Sequence, residues 1–303
     1  MSMYLEHFGL REKPFSLTPD TQFYLNEQSH RDALNTMLVS LKHSEGFIKI
    51  VGEVGTGKTL LCRKLLSMLD DVYLTSYIPN PYLTPAELKA HVAREIGAQV
   101  TAGMDTQEIM LAIYDRLLQL ASEGRQVVLV IDEAQAMPRE TIESLRLLTN
   151  LETEKRKLFQ VVLLGQPELD ELLNRDDLRQ LKQRIVFSEN LHPLTTEGTR
   201  QYIRHRLGLA GARRDLFTGA AAWLLAKASR GVPRLVNVMA HKALLSAYGR
   251  GSLNVDSWHV ARAISDTEES SALGKLLSLR WHLLWPLAGA MSAGVLLLLD
   301  GGI

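Results

Sequence analysis

The sequence predicts a parallel α/β domain followed by a small all-helical one, and three observations carry that reading. Short apolar runs alternate with helix-periodic segments as far as Leu194, the pattern of a parallel sheet covered on both faces. A glycine-rich loop, Gly52-Glu53-Val54-Gly55-Thr56-Gly57-Lys58-Thr59, sits between an apolar strand and an apolar helix. Beyond Leu194 the strand-like runs stop and only helical periodicity remains. A length of 303 residues suits about two domains of ~150 residues. The boundaries read as 1–194 for the α/β domain, 195–266 for the helical domain and 267–280 for a polar linker.

Taken in order, residues 1–28 form an irregular entry segment punctuated by Pro14, Pro19 and Asp20. A helix is expected from Ser29, where Ala33, Leu34, Met37, Leu38 and Leu41 share one face. Phe47–Val51 and Val72–Ile78 read as strands, Leu60–Leu69, Pro85–Ile96 and Thr106–Leu120 as helices. Asp105 and Glu108 offer a capping box, with Asp a weaker match than Ser or Thr. Val127–Ile131, five consecutive branched apolar residues, has the composition of a central strand buried on both faces. Pro138 can start a helix that turns Ile142, Leu145 and Leu148 inward. Leu158–Leu164 and Ile185–Asn190 complete the strands. Four helices follow, at Glu197–Leu209, Thr218–Ser229, Pro233–Tyr248 and Asp256–Asp266.

Composition narrows the function classes. Lys and Arg number 34, equal to Asp and Glu, and 46% of residues are hydrophobic. Those values exclude disorder and collagen-like repeats, and argue against a whole-surface nucleic-acid binder. The lone Cys62 forms no internal disulfide and reads as a small buried hydrophobe. The nine histidines lack a His-x-x-x-His spacing, so no zinc site is expected. Met1 to Phe15 has no basic-then-apolar leader, which points to a reducing cytosol for the bulk of the chain.

The loop Gly52–Thr59 carries the chemistry. Its glycines let backbone N–H groups converge on an anion, and the following helix adds its positive end. Lys58 can reach the β- and γ-phosphates of ATP, and the Thr59 hydroxyl can ligate Mg²⁺. Asp132, at the carboxyl end of the Val127–Ile131 strand, can hold the same metal shell. Glu133, one residue on, can orient or activate the attacking water.

These residues resemble a family. The phosphate loop, Asp132-Glu133-Ala134-Gln135 and a helical domain bearing Gly231-Val232-Pro233-Arg234 are similar to the AAA+ ATPases. Phe8-Gly9-Leu10, Pro14-Phe15, Thr18-Pro19-Asp20 and Gly165-Gln166-Pro167-Glu168-Leu169 resemble the ExeA/GspA group of secretion ATPases. Within that group the likeness is to ATPases of mannose-sensitive haemagglutinin (type IV) pilus biogenesis, and it spans roughly residues 1–266. The resemblance implies that Gln166 is the first sensor of the γ-phosphate, where many relatives have Asn. It implies that Arg234 is the second sensor, on the lid domain. Arg184, with Arg179 competing, falls where the family places an arginine finger acting on a neighbouring subunit, which implies a homo-oligomer. The entry segment is the implied adenine neighbour, through Phe23, Tyr24 and His30.

Two features concern partners. Between Gly198 and Val255 stand ten basic residues (Arg200, Arg204, Arg206, Arg213, Arg214, Lys227, Arg230, Arg234, Lys242 and Arg250) and one acid, Asp215. That surplus calls for an anionic partner: a membrane surface, an acidic protein or DNA. The second feature is Trp281–Leu299, nineteen residues without Asp, Glu, Lys or Arg. It reads as a C-terminal transmembrane helix, and Lys275 and Arg280 before it would keep the ATPase at the cytoplasmic face of the inner membrane. Longer relatives of the ExeA type carry a peptidoglycan-binding domain after their membrane helix. Only Asp300–Ile303 follow here, so direct wall binding is not expected. The expected activity is ATP hydrolysis in pilus biogenesis or type II secretion assembly, with inner-membrane proteins as partners. The rival reading is a DNA-acting ATPase like the helpers of transposition, which need clustered Lys and Arg but no base-reading motif. A nucleotide-gated scaffold without hydrolysis is disfavoured by Glu133.

Overall fold

The computed structural model describes residues 3–270 except 26, 45, 102 and 153–156, together with 272 and 276. In chain order the helices and strands begin with α1 (Met3–Phe8), α2 (Gln28–Lys42), β1 (Phe47–Gly52), α3 (Lys58–Met68), β2 (Tyr73–Ile78), α4 (Pro85–Ile96) and α5 (Thr106–Ser122). There follow β3 (Gln126–Ile131), α6 (Arg139–Leu148), β4 (Phe159–Gly165), α7 (Glu168–Leu173), α8 (Arg179–Lys182) and β5 (Ile185–Leu191). The last four are α9 (Thr196–Leu209), α10 (Gly219–Ser229), α11 (Pro233–Gly249) and α12 (Ser257–Ser265). The chain divides into two compact units, one running from Asn26 to His192 and the other joining Met1–Leu25 to the residues from Pro193 on.

The first unit is built on a five-stranded sheet in the order β2-β3-β4-β1-β5, with all pairs parallel. In β3 the side chains alternate between faces, and both faces are covered. Val127, Leu129 and Ile131 pack in one cluster with Leu88 and Val92 of α4, Ile113 and Leu117 of α5, and Ile142 and Leu145 of α6. Val128 and Val130, between them, are fully buried as well. Helix α3 packs on β1 and β4. Capping fixes where the outer helices begin. Thr84 and Glu87 close a capping box on α4, with Pro85 in its first turn. Asp105 and Glu108 close another on α5, where Asp105 accepts from the Glu108 N–H at 2.8 Å. The weaker match was sufficient.

The second unit is helical. Its core joins Tyr202, Ile203 and Leu207 of α9 to Leu224 and Leu225 of α10, Val236, Met239 and Leu244 of α11, and Val260 and Ile264 of α12. The first 25 residues belong to this unit, a division the 1–194 boundary does not anticipate. Tyr4, Leu5, Phe8, Leu10 and Phe15 are buried in the helical core, and the Arg11 N–H donates to the Ala210 carbonyl at 2.7 Å. Six residues of α1 are too few to display a helical period, so the segment reads as irregular in sequence.

The expected C-terminal transmembrane helix requires correction. Among the described residues no helix is long and apolar enough to cross a membrane. The longest two, α5 and α11, have 17 residues each, and both turn a face into the core of their own unit. Trp281–Leu299 lies outside the described residues. The single C-terminal anchor, and the placement at the inner membrane that rested on it, are therefore withdrawn.

Candidate functional site

Three loops leave the carboxyl ends of neighbouring strands in the α/β unit. The phosphate loop follows β1, Asp132-Glu133 follows β3 and Gln166 follows β4. Because Val51 pairs with Gly165 and Leu163 pairs with Ile131, all three exits lie at one edge of the sheet. Ligands of open parallel sheets bind in this position.

Two contacts shape the phosphate loop. Thr56, fully buried, donates from Oγ1 to the Glu53 carbonyl at 2.8 Å and closes the turn. Gly57 adopts φ +102° just before α3, and a Cβ there would stand 3.0 Å from His30 Nε2. A larger residue meets both a strained backbone and an obstructing ring. His30 reaches the loop from α2, donating from Nε2 to the Thr56 carbonyl at 2.8 Å. Burial lowers its pKa against the opposing pull of that bond and of Glu27, which favours the neutral ring. The resemblance assigns His30 to adenine; the structure puts it against the phosphate loop. Phe23, also assigned to adenine, is buried in the helical unit, with the Arg206 guanidinium 4.6 Å from its ring centroid. Burial pushes the Tyr24 hydroxyl up to about 12.

Lys58 is 4% exposed, and its ammonium donates to the carbonyls of Gly52 at 2.7 Å and Glu53 at 3.1 Å. Burial lowers its pKa, while Glu133, Asp132, Glu53 and Glu168 pull it back up. Thr59 Oγ1 donates to Asp132 Oδ2 at 2.6 Å, so the two expected metal ligands already meet. Asp132 is buried, and burial raises its pKa despite hydrogen bonds from Thr59 and the Glu133 N–H. Tyr77, from the end of β2, lies beside Asp132, and burial carries its hydroxyl to about 12. Tyr77 was not singled out in the sequence, because only the β2–β3 pairing brings it beside Asp132.

Glu133 occupies the left-handed region, at φ 52° and ψ 38°, where a non-glycine residue stores strain. Its Oε2 accepts from Gln135 Nε2 at 2.6 Å and from Gln166 Nε2 at 2.9 Å. The Gln166 N–H in turn donates to Gln135 Oε1 at 3.0 Å. Burial raises the Glu133 pKa, but the two amides and Lys58 outweigh it, and the carboxyl lies below its usual range.

Of the other assigned arginines, Arg184 and Arg179 belong to the α/β unit and Arg234 to the helical unit. Arg184 precedes β5, whose first residue pairs with Phe47 at the start of β1, the opposite edge of the sheet from the phosphate loop. Its guanidinium donates to Thr149 Oγ1 at 3.3 Å, whereas Arg179 is exposed. Arg234 is exposed in the first turn of α11, in the helical unit.

Comparison with known proteins agrees with this architecture. A family model described as an AAA domain matches residues 41–173. The general secretion pathway protein A of Aeromonas hydrophila is 40% identical over 250 residues, covering 82% of this chain. The chain belongs to the ExeA/GspA group of AAA+ proteins. It spans 46% of the length of that relative. Among solved structures, the ORC2 protein of Aeropyrum pernix, in ADPNP-ADP complexes, aligns with TM-score 0.62 at 18% identity, over 85% of this chain and 72% of that one. The RuvB Holliday junction branch migration motor of Thermotoga maritima aligns with TM-score 0.55 at 17% identity, over 84% and 72%. At such identities these two show the fold alone.

Proposed function

We propose that this protein binds ATP with Mg²⁺ and hydrolyses it to ADP and phosphate. We further propose that it works as a homo-oligomer in type II secretion assembly or in type IV, MSHA-like pilus biogenesis. The observation that carries the hydrolytic reading is the convergence of Lys58, Thr59–Asp132 and Glu133–Gln166 at the carboxyl ends of β1, β3 and β4. Kinship with a general secretion pathway protein supports the cellular role.

The Thr59 hydroxyl and Asp132 carboxylate are hard oxygen donors 2.6 Å apart, and Mg²⁺ takes one or two such protein ligands while keeping waters. The residues present fit the ion, which when bound would offset negative charge on the phosphate oxygens. Lys58 would exchange its loop carbonyls for the β- and γ-phosphates, and the loop N–H groups would hold the remaining oxygens. Glu133 would take a proton from water as the water oxygen bonds the γ-phosphorus. The bond from that phosphorus to the bridging oxygen would break, and its electrons would leave with ADP. Gln166 would carry the first-sensor role beside Glu133, and Arg234 the second. Arg184, or the more exposed Arg179, would act on the nucleotide of a neighbouring chain.

Part of the basic surplus of the helical unit is answered within that unit, while Arg213, Arg214, Arg230, Arg234 and Arg250 are exposed. Arg204 pairs with Asp215 at 2.9 Å, Arg200 with Glu197 at 3.2 Å and Lys242 with Asp266 at 2.8 Å, while Arg206 is buried. The hydrolytic reading itself does not depend on DNA. Steady-state phosphate release by the full chain tests it. ATP turnover should vanish on chelation and return with added Mg²⁺. A chain that binds ATP but releases no phosphate under any metal condition would overturn it.

A further inference from the structure

Gln135 belongs to the strand-end cluster, yet nothing in the sequence gives it a role. It lies in the 3-10 turn Ala134–Ala136 that follows Glu133, and its side-chain amide is engaged at both ends. Nε2 donates to Glu133 Oε2 at 2.6 Å, and Oε1 accepts the Gln166 N–H at 3.0 Å. Gln166 completes the triangle by donating its own amide to the same Oε2 at 2.9 Å. The space for this arrangement comes from Gly165, whose missing Cβ would stand 3.2 Å from Gln135 Oε1 and 2.7 Å from Leu169 Cδ2. Any side chain at the end of β4 would press on the amide that ties the two loops together.

We propose that Gln135 is the positioning residue of this site, clamping one oxygen of the Glu133 carboxylate and locking it to Gln166. The clamp resists rotation of a carboxylate carried on strained backbone, and it leaves Oε1 as the oxygen that takes the proton from water. It also makes the exit of β4 sense the exit of β3. A displacement of Gln166 moves Gln135 through its carbonyl and Glu133 through two amides, so an event at either loop reaches the base. This inference rests on Glu133 acting as the base.

The test is a double-mutant cycle on the full chain, with Gln135→Met, Glu133→Gln and the pair. Gln135→Met keeps the side-chain length and removes both hydrogen bonds to the amide. Its kcat should fall about tenfold, the scale of a lost hydrogen bond to a charged group, with KM for ATP within about twofold. In the Glu133→Gln background the same change should cost nothing further, because there is no carboxylate left to hold. Gln135→Asn, which keeps the amide but cannot span the distance, should reproduce the fall if the methionine variant folds poorly. Parental kcat in both Gln135 variants, alongside an impaired Glu133→Gln, would overturn the clamp and leave the hydrolytic reading standing. So would an equal further loss in the Glu133→Gln background. Parental turnover in Glu133→Gln itself would overturn both.

Discussion

The two units bury polar groups in different ways. In the α/β unit Lys58, Asp132 and Thr56 are withdrawn from water at one edge of the sheet, where burial works against the charge of Lys58 and of Asp132. In the helical unit the largest buried polar group is Arg206, and it is fully answered. It donates to the Pro14 carbonyl at 2.6 Å and to the Tyr202 hydroxyl at 2.7 Å, and Tyr202 donates on to Asn237 at 3.1 Å. Both are costly burials, since an ion leaves water in each. The first set holds charge in tension at a surface edge, as a binding site must. The second uses charge to pin an entry segment to a helical core. The difference teaches that burial alone does not mark function: Lys58 and Asp132 are buried among further charged groups that act on their protonation, whereas the hydrogen-bond partners of Arg206 are neutral.

Substitutions at these places should separate the two kinds. The largest effect is expected from Arg184→Ala. Arg184 lies at the far edge of the sheet from the phosphate loop, so the proposed finger role would be played on another chain, and arginine fingers contribute about 10³-fold or more in rate. ATP binding should persist, turnover should collapse, and mixing with Lys58→Ala subunits should restore part of it. Turnover that ignores both protein concentration and mixing would argue that no site is shared. Next comes Lys58→Ala, expected to weaken nucleotide binding by about 100-fold while stability moves by no more than about 1 kcal/mol, because burial opposes the charge it removes. Calorimetric titration and thermal unfolding of the same sample give both numbers.

Arg206→Met should do the reverse. Removing the guanidinium strands the Pro14 carbonyl and takes a donor from the Tyr202 hydroxyl, which keeps only its bond to Asn237, a loss of about 2 kcal/mol in denaturant unfolding. Turnover per folded molecule should stay within a small factor of the parent. If Arg206→Met instead lowers kcat with stability intact, the contrast between the units fails.

The smallest effect concerns pH. Burial lowers the pKa of His30 in the α/β unit and of His241 and His259 in the helical unit. The unfolded chain therefore binds protons that the folded chain refuses once the pH drops through about 6.5, the ordinary histidine value. Stability should fall as pH decreases through that range and level off below the folded values. His30→Gln should flatten part of the slope, which unfolding curves at a series of pH values will register.

Much of the architecture was legible in the chain. Five strands and the long helices announce themselves by runs such as Val127–Ile131 and by the spacing of Ile142, Leu145 and Leu148. Lys58, Thr59, Asp132 and Glu133 were legible because their chemistry is local to two short motifs. What escaped depends on contacts distant in sequence. Gln135 meets Gln166 across 31 residues only because β3 lies beside β4. His30 meets Thr56 through the path of α2, and Arg206 resembles a surface charge until the carbonyls of residues 14 and 16 surround it. Short elements escaped for another reason: α1, α7 and α8 have 6, 6 and 4 residues, too few for a period. The apolar run near the C-terminus shows the opposite risk, since hydropathy alone suggested an anchor that the described helices do not provide.

The claim at the centre is that the edge of the sheet is built for hydrolysis and not only for binding. Glu133→Gln tests it most directly, because the amide keeps the shape of the carboxylate and loses its basicity. Equilibrium ATP binding and single-turnover phosphate release should be measured on the full-length variant beside the parent. The structure predicts ATP affinity within a few-fold of the parent, since Lys58, Thr59 and Asp132 are untouched, and phosphate release slowed about 100-fold or more. Phosphate release at the parental rate would contradict the account.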